Sequence, residues 1–192
     1  MDTVPYASAV GSLMYVQVCT CPDIAFAIGV LGRYQSNPGK DHWTAARKVM
    51  RYLQRTMNFM FTYKRCDFLE VIGYVDSDFA GCRDDFKSTS GYVFMMAGGS
   101  ISWKSVKQSL TTTSTMQAEY VACYEATLHA IWLRNFISRL QIVDSISNPL
   151  TIYCDNSAVV GFSRNNMGSS RSKHIDKVFL CYREGSRVVN FC

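Results

Sequence analysis

Hydrophobic and polar positions follow two different periods along the chain, and the change falls near residue 66. In the N-terminal third, Ile24, Ala27, Ile28 and Leu31 recur at helical spacing. Pro22 fits a first helical position after Thr20 or Cys21, and Ser36-Asn37-Pro38-Gly39 breaks the run. A second run, residues 42–57, sets Trp43, Ala46, Val49, Met50 and Leu53 on one face. Arg47, Lys48, Arg51 and Arg55 fall mainly on the other, which predicts an amphipathic helix with a basic back. Residues 59–63 read as a short strand.

From Leu69 the pattern becomes that of strands around one long helix. Residues 69–75 are apolar apart from Glu70, as in a strand buried on both faces. Residues 90–97 and 100–104 are strands joined by Gly98-Gly99, a hairpin signal, so three antiparallel strands follow in sequence. Ser114, with Gln117 three residues on, opens a helix by a capping box and the helix runs to about Leu140. Residues 150–154 form another buried strand, Asp155-Asn156-Ser157 cap a helix from Ala158, and residues 166–172 are a polar loop. A helix over about 174–183 and a last strand at 188–191 complete the prediction. The pattern as a whole is α/β: a mixed sheet of three antiparallel strands followed by parallel ones, with flanking helices and a small helical segment in front.

Composition narrows this only slightly. The 192 residues are 48% hydrophobic and 18% charged, which excludes a disordered chain. The net charge of +5 is unevenly placed: residues 1–66 hold eight basic and three acidic side chains, and the remaining 126 hold twelve of each. A basic N-terminal segment suits a polyanion, although a solvated helix face has the same composition. Eight cysteines show neither Cys-x-x-Cys nor a zinc-finger His pair, so they read as reduced and mostly buried thiols. Residues 3–32 carry a single charge, but no basic residue precedes the apolar run and Pro22-Asp23 interrupts it. The expectation is a soluble intracellular protein, cytoplasmic or nuclear, not secreted and with no membrane partner.

Three carboxylates occupy costly positions. Asp76 ends the first strand of the sheet and Asp155 ends the fourth. A right-handed crossover makes those strands parallel neighbours, so both acids emerge at the C-terminal edge, where α/β sheets place ligands. Glu119 lies on the apolar stripe of the long helix, with Met116, Cys123, Ala126, Ala130 and Leu133, and no basic residue lies within seven positions of it. Three acidic oxygens converging without His or Cys suit Mg²⁺ or Mn²⁺, and two such ions roughly 4 Å apart are a device for in-line attack on a phosphodiester. A structural reading of each acid stands beside this: Asp155 as a helix cap, Asp76 opening a turn with Ser77-Asp78, Glu119 reaching solvent.

Several ordered motifs run through nearly the whole chain. They are residues 5–15 (Pro-Tyr-Ala-Ser-Ala-Val-Gly-Ser-Leu-Met-Tyr), Pro22-Asp23-Ile24-Ala25, His42-Trp43, residues 73–81 (Gly-Tyr-Val-Asp-Ser-Asp-Phe-Ala-Gly), Ser88-Thr89-Ser90-Gly91-Tyr92, Ile101-Ser102-Trp103-Lys104-Ser105, Ala118-Glu119-Tyr120, Tyr153-Cys154-Asp155-Asn156 and Lys173-His174-Ile175-Asp176. In this the chain resembles the C-terminal part of a copia-type LTR retrotransposon Pol polyprotein, the end of the reverse transcriptase followed by ribonuclease H. The resemblance implies residues 1–66 as a thumb- or connection-like helical segment and residues 67–192 as a ribonuclease H-like domain, truncated before the family's last helix and its fourth acidic ligand. It implies Asp76, Glu119 and Asp155 as the catalytic and metal-binding acids, two Mg²⁺ or Mn²⁺ ions, and an RNA·DNA hybrid as substrate, with the polymerase domain of a reverse transcriptase as a possible neighbour. Phosphate contacts would come from Lys104, Lys107, Arg171, Lys173, Arg47 and Arg51, although each taken alone reads first as an ordinary surface charge. The family usually has Arg where this chain has Cys21, and the segment after Arg183-Glu184 is shorter. The alternative is a catalytically impaired remnant that still binds nucleic acid.

Overall fold

The computed structural model describes residues 4–65, 69–82, 84–141, 149–164 and 189–192. Three helices come first: α1 (Tyr6–Cys19), α2 (Ala25–Gly32), entered through a single 3-10 turn at Pro22–Ile24, and α3 (Lys40–Arg55). Their contact faces form one apolar cluster of Tyr6, Val10, Leu13, Ile24, Ile28, Leu31 and Ala46, with Trp43, Val49, Met50 and Leu53 packed against it. The Tyr6 hydroxyl, inside that cluster, donates to the Leu31 carbonyl at 2.9 Å and so is satisfied. On α3 the side chains of Arg47, Lys48, Arg51 and Arg55 are exposed, as the helical period requires.

A five-stranded sheet follows, in the order β3-β2-β1-β4-β5. β1 (Val71–Asp78), β2 (Thr89–Met96) and β3 (Gly99–Lys107) make an antiparallel meander. The long helix α4 (Thr115–Leu140) then crosses over to β4 (Leu150–Cys154), which lies parallel to β1, and β5 (Val189–Phe191) lies parallel to β4. A short helix α5 (Ser157–Arg164) leaves the end of β4. This is the mixed α/β sheet expected from the pattern, in the ribonuclease H-like arrangement that the resemblance implies. Its core joins Val71, Val75 and Phe94 of the meander to Cys123, Ala126, Ala130 and Leu133 of α4 and to Ile152 of β4.

Several local expectations shift. β1 is not buried on both faces: Val71, Gly73 and Val75 are buried under α4, while Tyr74 and Asp76 on the alternate positions are exposed. Residues 59–63 form no strand. They run beside the hairpin, where Lys64 N–H donates to Ala97 O at 2.8 Å and the Tyr63 hydroxyl donates to Ser100 O at 2.9 Å. The hairpin turn is Ala97-Gly98, with φ of 55° and 79°, not Gly98-Gly99. Two positive φ values suit a tight hairpin turn, and Gly99 instead opens β3 against the Tyr63 ring, which a Cβ there would meet at 2.5 Å. At the start of α4, Ser114 Oγ accepts from Gln117 N–H at 3.2 Å, but Gln117 Oε1 accepts from Thr113 rather than closing the box on Ser114. Met116 is exposed, off the apolar stripe. The helix expected at 174–183 lies outside the described residues. Among them, no helix is long and apolar enough to cross a membrane.

Candidate active site

β1 and β4 run in parallel register with Val75 opposite Cys154. The next residue on each strand is therefore Asp76 and Asp155, side by side at the C-terminal edge of the sheet. Asp155 is exposed, immediately beyond β4. It does not cap α5, because Asn156 Oδ1 accepts from the N–H groups of Ala158 and Val159 at 3.1 and 3.2 Å. Nor does Asp76 open a turn: β1 continues through Asp78, and the turn comes at Phe79-Ala80.

Glu119 comes to the same edge from α4 and is only 7% exposed. Its Oε1 accepts from Ser77 N–H at 3.3 Å, and the same N–H donates to Asp76 Oδ1 at 2.7 Å. Its Oε2 is buried with no hydrogen-bond partner among the described residues. Burial pushes the Glu119 carboxyl above its ordinary value; the contact with Ser77 draws it down, and the charges of Asp76 and Asp155 raise it further. Donor atoms of Glu119, Cys154 and Asp155 all lie within 4.8 Å of one another. Asp76 stands just outside that group. It lines a cavity of about 390 Å³ between the N-terminal helices and the sheet, together with Asp23, Phe26, Tyr74, Asp78 and Trp103. A buried carboxylate oxygen without a donor and two further carboxylates nearby, none of them in a salt bridge among the described residues, fit a divalent ion.

The loop behind β1 is fixed by buried hydroxyls. Ser88 Oγ accepts from Ala80 N–H at 3.1 Å and lies 2.9 Å from Thr112 Oγ1. Gln108, 1% exposed, donates from Nε2 to Ser90 Oγ and to Ala118 O, both at 2.9 Å, which ties β2 to the turn of α4 that carries Glu119. The sequence reading missed these supports, and it missed the Ser77 amide and the Cys154 thiol. Only Cys154, directly before Asp155 in a strand-end motif, carried a readable signal.

The expected phosphate contacts are scattered. Arg47 and Arg51 are exposed on α3. Lys104 is exposed on β3, with its charge acting on Glu125 and His129 of α4. Lys107 Nζ is engaged with Asp85 Oδ2 at 2.8 Å. Arg171 and Lys173 lie outside the described residues.

Comparison with known proteins places the chain. Over 184 residues, 96% of its length, it is 43% identical to the retrovirus-related Pol polyprotein from transposon TNT 1-94 of Nicotiana tabacum. Over 133 residues it is 45% identical to the secreted RxLR effector protein 161 of Plasmopara viticola, and it covers 94% of that protein. The chain is a homologue of the retrovirus-related Pol polyproteins of transposons. It spans 14% of the tobacco Pol polyprotein and 12% of the Pol polyprotein from transposon RE2 of Arabidopsis thaliana, to which it is 36% identical over 91% of its length. No family model matches this Pol-type chain. In fold it is similar to a foamy viral protease-reverse transcriptase solved in complex with dsDNA, with a TM-score of 0.58 at 13% identity over 96% of this chain and 36% of that one. It also aligns with the LC11-RNase H1 isolated from compost, over 64% of this chain and 82% of that one, at a TM-score of 0.45 and 18% identity.

Proposed function

We propose that this Pol homologue is a metal-dependent ribonuclease H that hydrolyses the RNA strand of an RNA·DNA hybrid, with Asp76, Glu119 and Asp155 holding two Mg²⁺ or Mn²⁺ ions. The observation that carries the reading is Glu119: a buried carboxylate with an oxygen unpartnered among the described residues, set between Asp76 and Asp155 at the edge where parallel strands present ligands. Divalent ions bound there supply charge neutralisation at the scissile phosphate and lower the pKa of attacking water. The chain's own part is positioning. Ser77 N–H orients Asp76 and Glu119, and Asn156 takes the capping role on α5 that would otherwise occupy Asp155. Substrate choice in this reading rests on shape and 2′-hydroxyl contacts rather than base readout. Arg47, Arg51, Lys104, Lys107, Arg171 and Lys173 are the proposed phosphate contacts, with Lys107 first having to leave Asp85. Residues 1–66 form a connection-like segment next to a polymerase domain, and residues 67–192 the nuclease domain.

The test is cleavage of a labelled RNA·DNA hybrid in millimolar Mg²⁺ or Mn²⁺. The parent chain cuts RNA only when it is paired with DNA, and Asp76→Asn and Glu119→Gln each lose at least about a hundredfold in rate. No cutting by the parent in either metal overturns the proposal. A second reading, hybrid binding without chemistry, is favoured by the position of Asp76 outside the compact group of Glu119, Cys154 and Asp155. It predicts binding that falls steeply with salt and no cleavage even in Mn²⁺.

A further inference from the structure

The compact group at the sheet edge has a member that a hard-cation site does not need. Cys154 is buried, and its Sγ shares with one oxygen each of Glu119 and Asp155 a region in which all donor atoms lie within 4.8 Å of one another. Two of its members, Cys154 and Asp155, line a cavity of about 390 Å³ together with Ser157, Val160 and Cys192. A second observation points to a ligand. Glu119, whose carboxylate supplies one atom of this group, is 7% exposed, and among the described residues its Oε2 is buried without a hydrogen-bond partner. Two carboxylates and a sulfur are a borderline-soft set, matched to zinc and cadmium rather than to magnesium. Tetrahedral zinc bonds of about 2.0–2.3 Å place donors roughly 3.5 Å apart, so the three atoms need close by little more than an ångström at the widest pair.

We infer that Glu119, Cys154 and Asp155 form a site for a thiophilic divalent cation, Zn²⁺ or Cd²⁺, whose occupancy withdraws two of the three acids from hard-cation chemistry and so inhibits the nuclease. On binding, the metal–sulfur bond forms as the Cys154 thiol gives up its proton to solvent, with no change of oxidation state. The inhibitory role rests on the ribonuclease reading, whereas the binding site does not.

The probe is Cd²⁺ alone, titrated into the full metal-free chain and followed by the ultraviolet charge-transfer absorption of a cadmium thiolate. The expected result is a saturating band that Cys154→Ser abolishes and Cys123→Ser retains, with affinity falling at least about tenfold in Asp155→Asn. A band that survives Cys154→Ser at unchanged affinity assigns the metal to other thiols, such as the neighbouring Cys19 and Cys21, and overturns the inference. So does a parent chain with no band. Circular dichroism of each variant establishes that it is folded, and the Asp155→Asn arm tests the site by a second residue if the serine variant is not. A cadmium band without hybrid cleavage in Mg²⁺ leaves this site standing and removes the nuclease. Cleavage in Mg²⁺ whose zinc inhibition is equal in the parent and Cys154→Ser does the reverse.

Discussion

Glu119 is where the chemistry of the fold and its stability pull in opposite directions. Burial raises its carboxyl above the ordinary value of 4.5, and Asp76 and Asp155 add to the effect. With the folded value above the unfolded one, the folded chain holds more protons between the two, so stability falls as pH rises through that window and stays lower above it. Removing the charge reverses this. Glu119→Gln keeps an acceptor for Ser77 N–H and is expected to raise the melting temperature of the metal-free chain at pH 7 by about 2–4 °C, the shift of roughly 1 kcal/mol at this length. Below pH 4.5 parent and variant converge, and added Mg²⁺ stabilises the parent alone. A variant that melts no higher than the parent at pH 7, measured by calorimetry, would contradict the cost assigned to this carboxylate. Gly73, on the neighbouring strand, is under a packing constraint instead. A Cβ there meets the Phe94 ring at 2.8 Å and Ile152 Cγ1 at 3.0 Å, so Gly73→Ala is expected to cost about 1–3 kcal/mol by overpacking, readable as a lower denaturant midpoint.

At the scale of elements, the site depends on how the β1 turn, β2 and the first turn of α4 are tied together. Ser88 is fully buried, and its hydroxyl serves both Ala80 N–H and Thr112. Ala80 sits at φ 54°, a conformation that a non-glycine residue holds only with support. Ser88→Ala leaves that part-buried N–H unpaired, at a cost of about 1 kcal/mol. Hydrogen exchange at Ala80 is expected to rise in the variant while exchange in the centre of α4 stays unchanged; equal loosening of both would mean that the hydroxyl stabilises the core generally rather than the turn. This network also marks the limit of what the sequence disclosed. The crossover logic, which sets Asp76 and Asp155 side by side on parallel neighbours and Glu119 on an apolar helix stripe, was legible because it depends only on period and chain order, although β1 runs two residues past Asp76. The hairpin register was legible to within one residue, since Ala97-Gly98-Gly99 offers two glycines and only the Tyr63 ring against Gly99 decides which one turns. Residues 59–63 have strand composition but run beside the hairpin, joined to it by the backbone bond from Lys64 to Ala97, a tertiary outcome that no local pattern encodes. Ser88 and Gln108 were invisible as supports for the same reason: their partners are distant in sequence.

For the whole molecule the question is how two clusters of different charge act on one polyanion. The helical cluster packs on the meander through specific contacts: Trp103 Nε1–H donates to Gln17 O at 3.0 Å, Arg33 Nη2 reaches Thr89 Oγ1 at 3.4 Å, and the Tyr34 hydroxyl donates to Asp84 at 2.6 Å. Those contacts, from α1 and the segment after α2, hold the helical cluster to the body that carries the acids, and α3 packs on that cluster with its basic face outward. Among the described residues the one ion pair is Lys107–Asp85, so the charges of Arg47 and Arg51 are not neutralised in a salt bridge. Electrostatic binding to a duplex releases about 0.9 counterions per neutralised phosphate, and that number is read directly from the slope of log affinity against log salt. If α3 is part of the hybrid surface, the double variant Arg47→Ala, Arg51→Ala flattens that slope by about 2 and weakens binding evenly across hybrid sequences. Both residues are exposed, so the melting temperature is expected to stay within about 2 °C of the parent. The measurement is fluorescence anisotropy of a labelled hybrid over a salt series in Ca²⁺, which suppresses cutting while keeping a divalent ion present. An unchanged slope would remove α3 from the interface and leave Lys104 and the segment carrying Arg171 and Lys173 as the phosphate contacts, with the basic N-terminal third serving only as a solvated face.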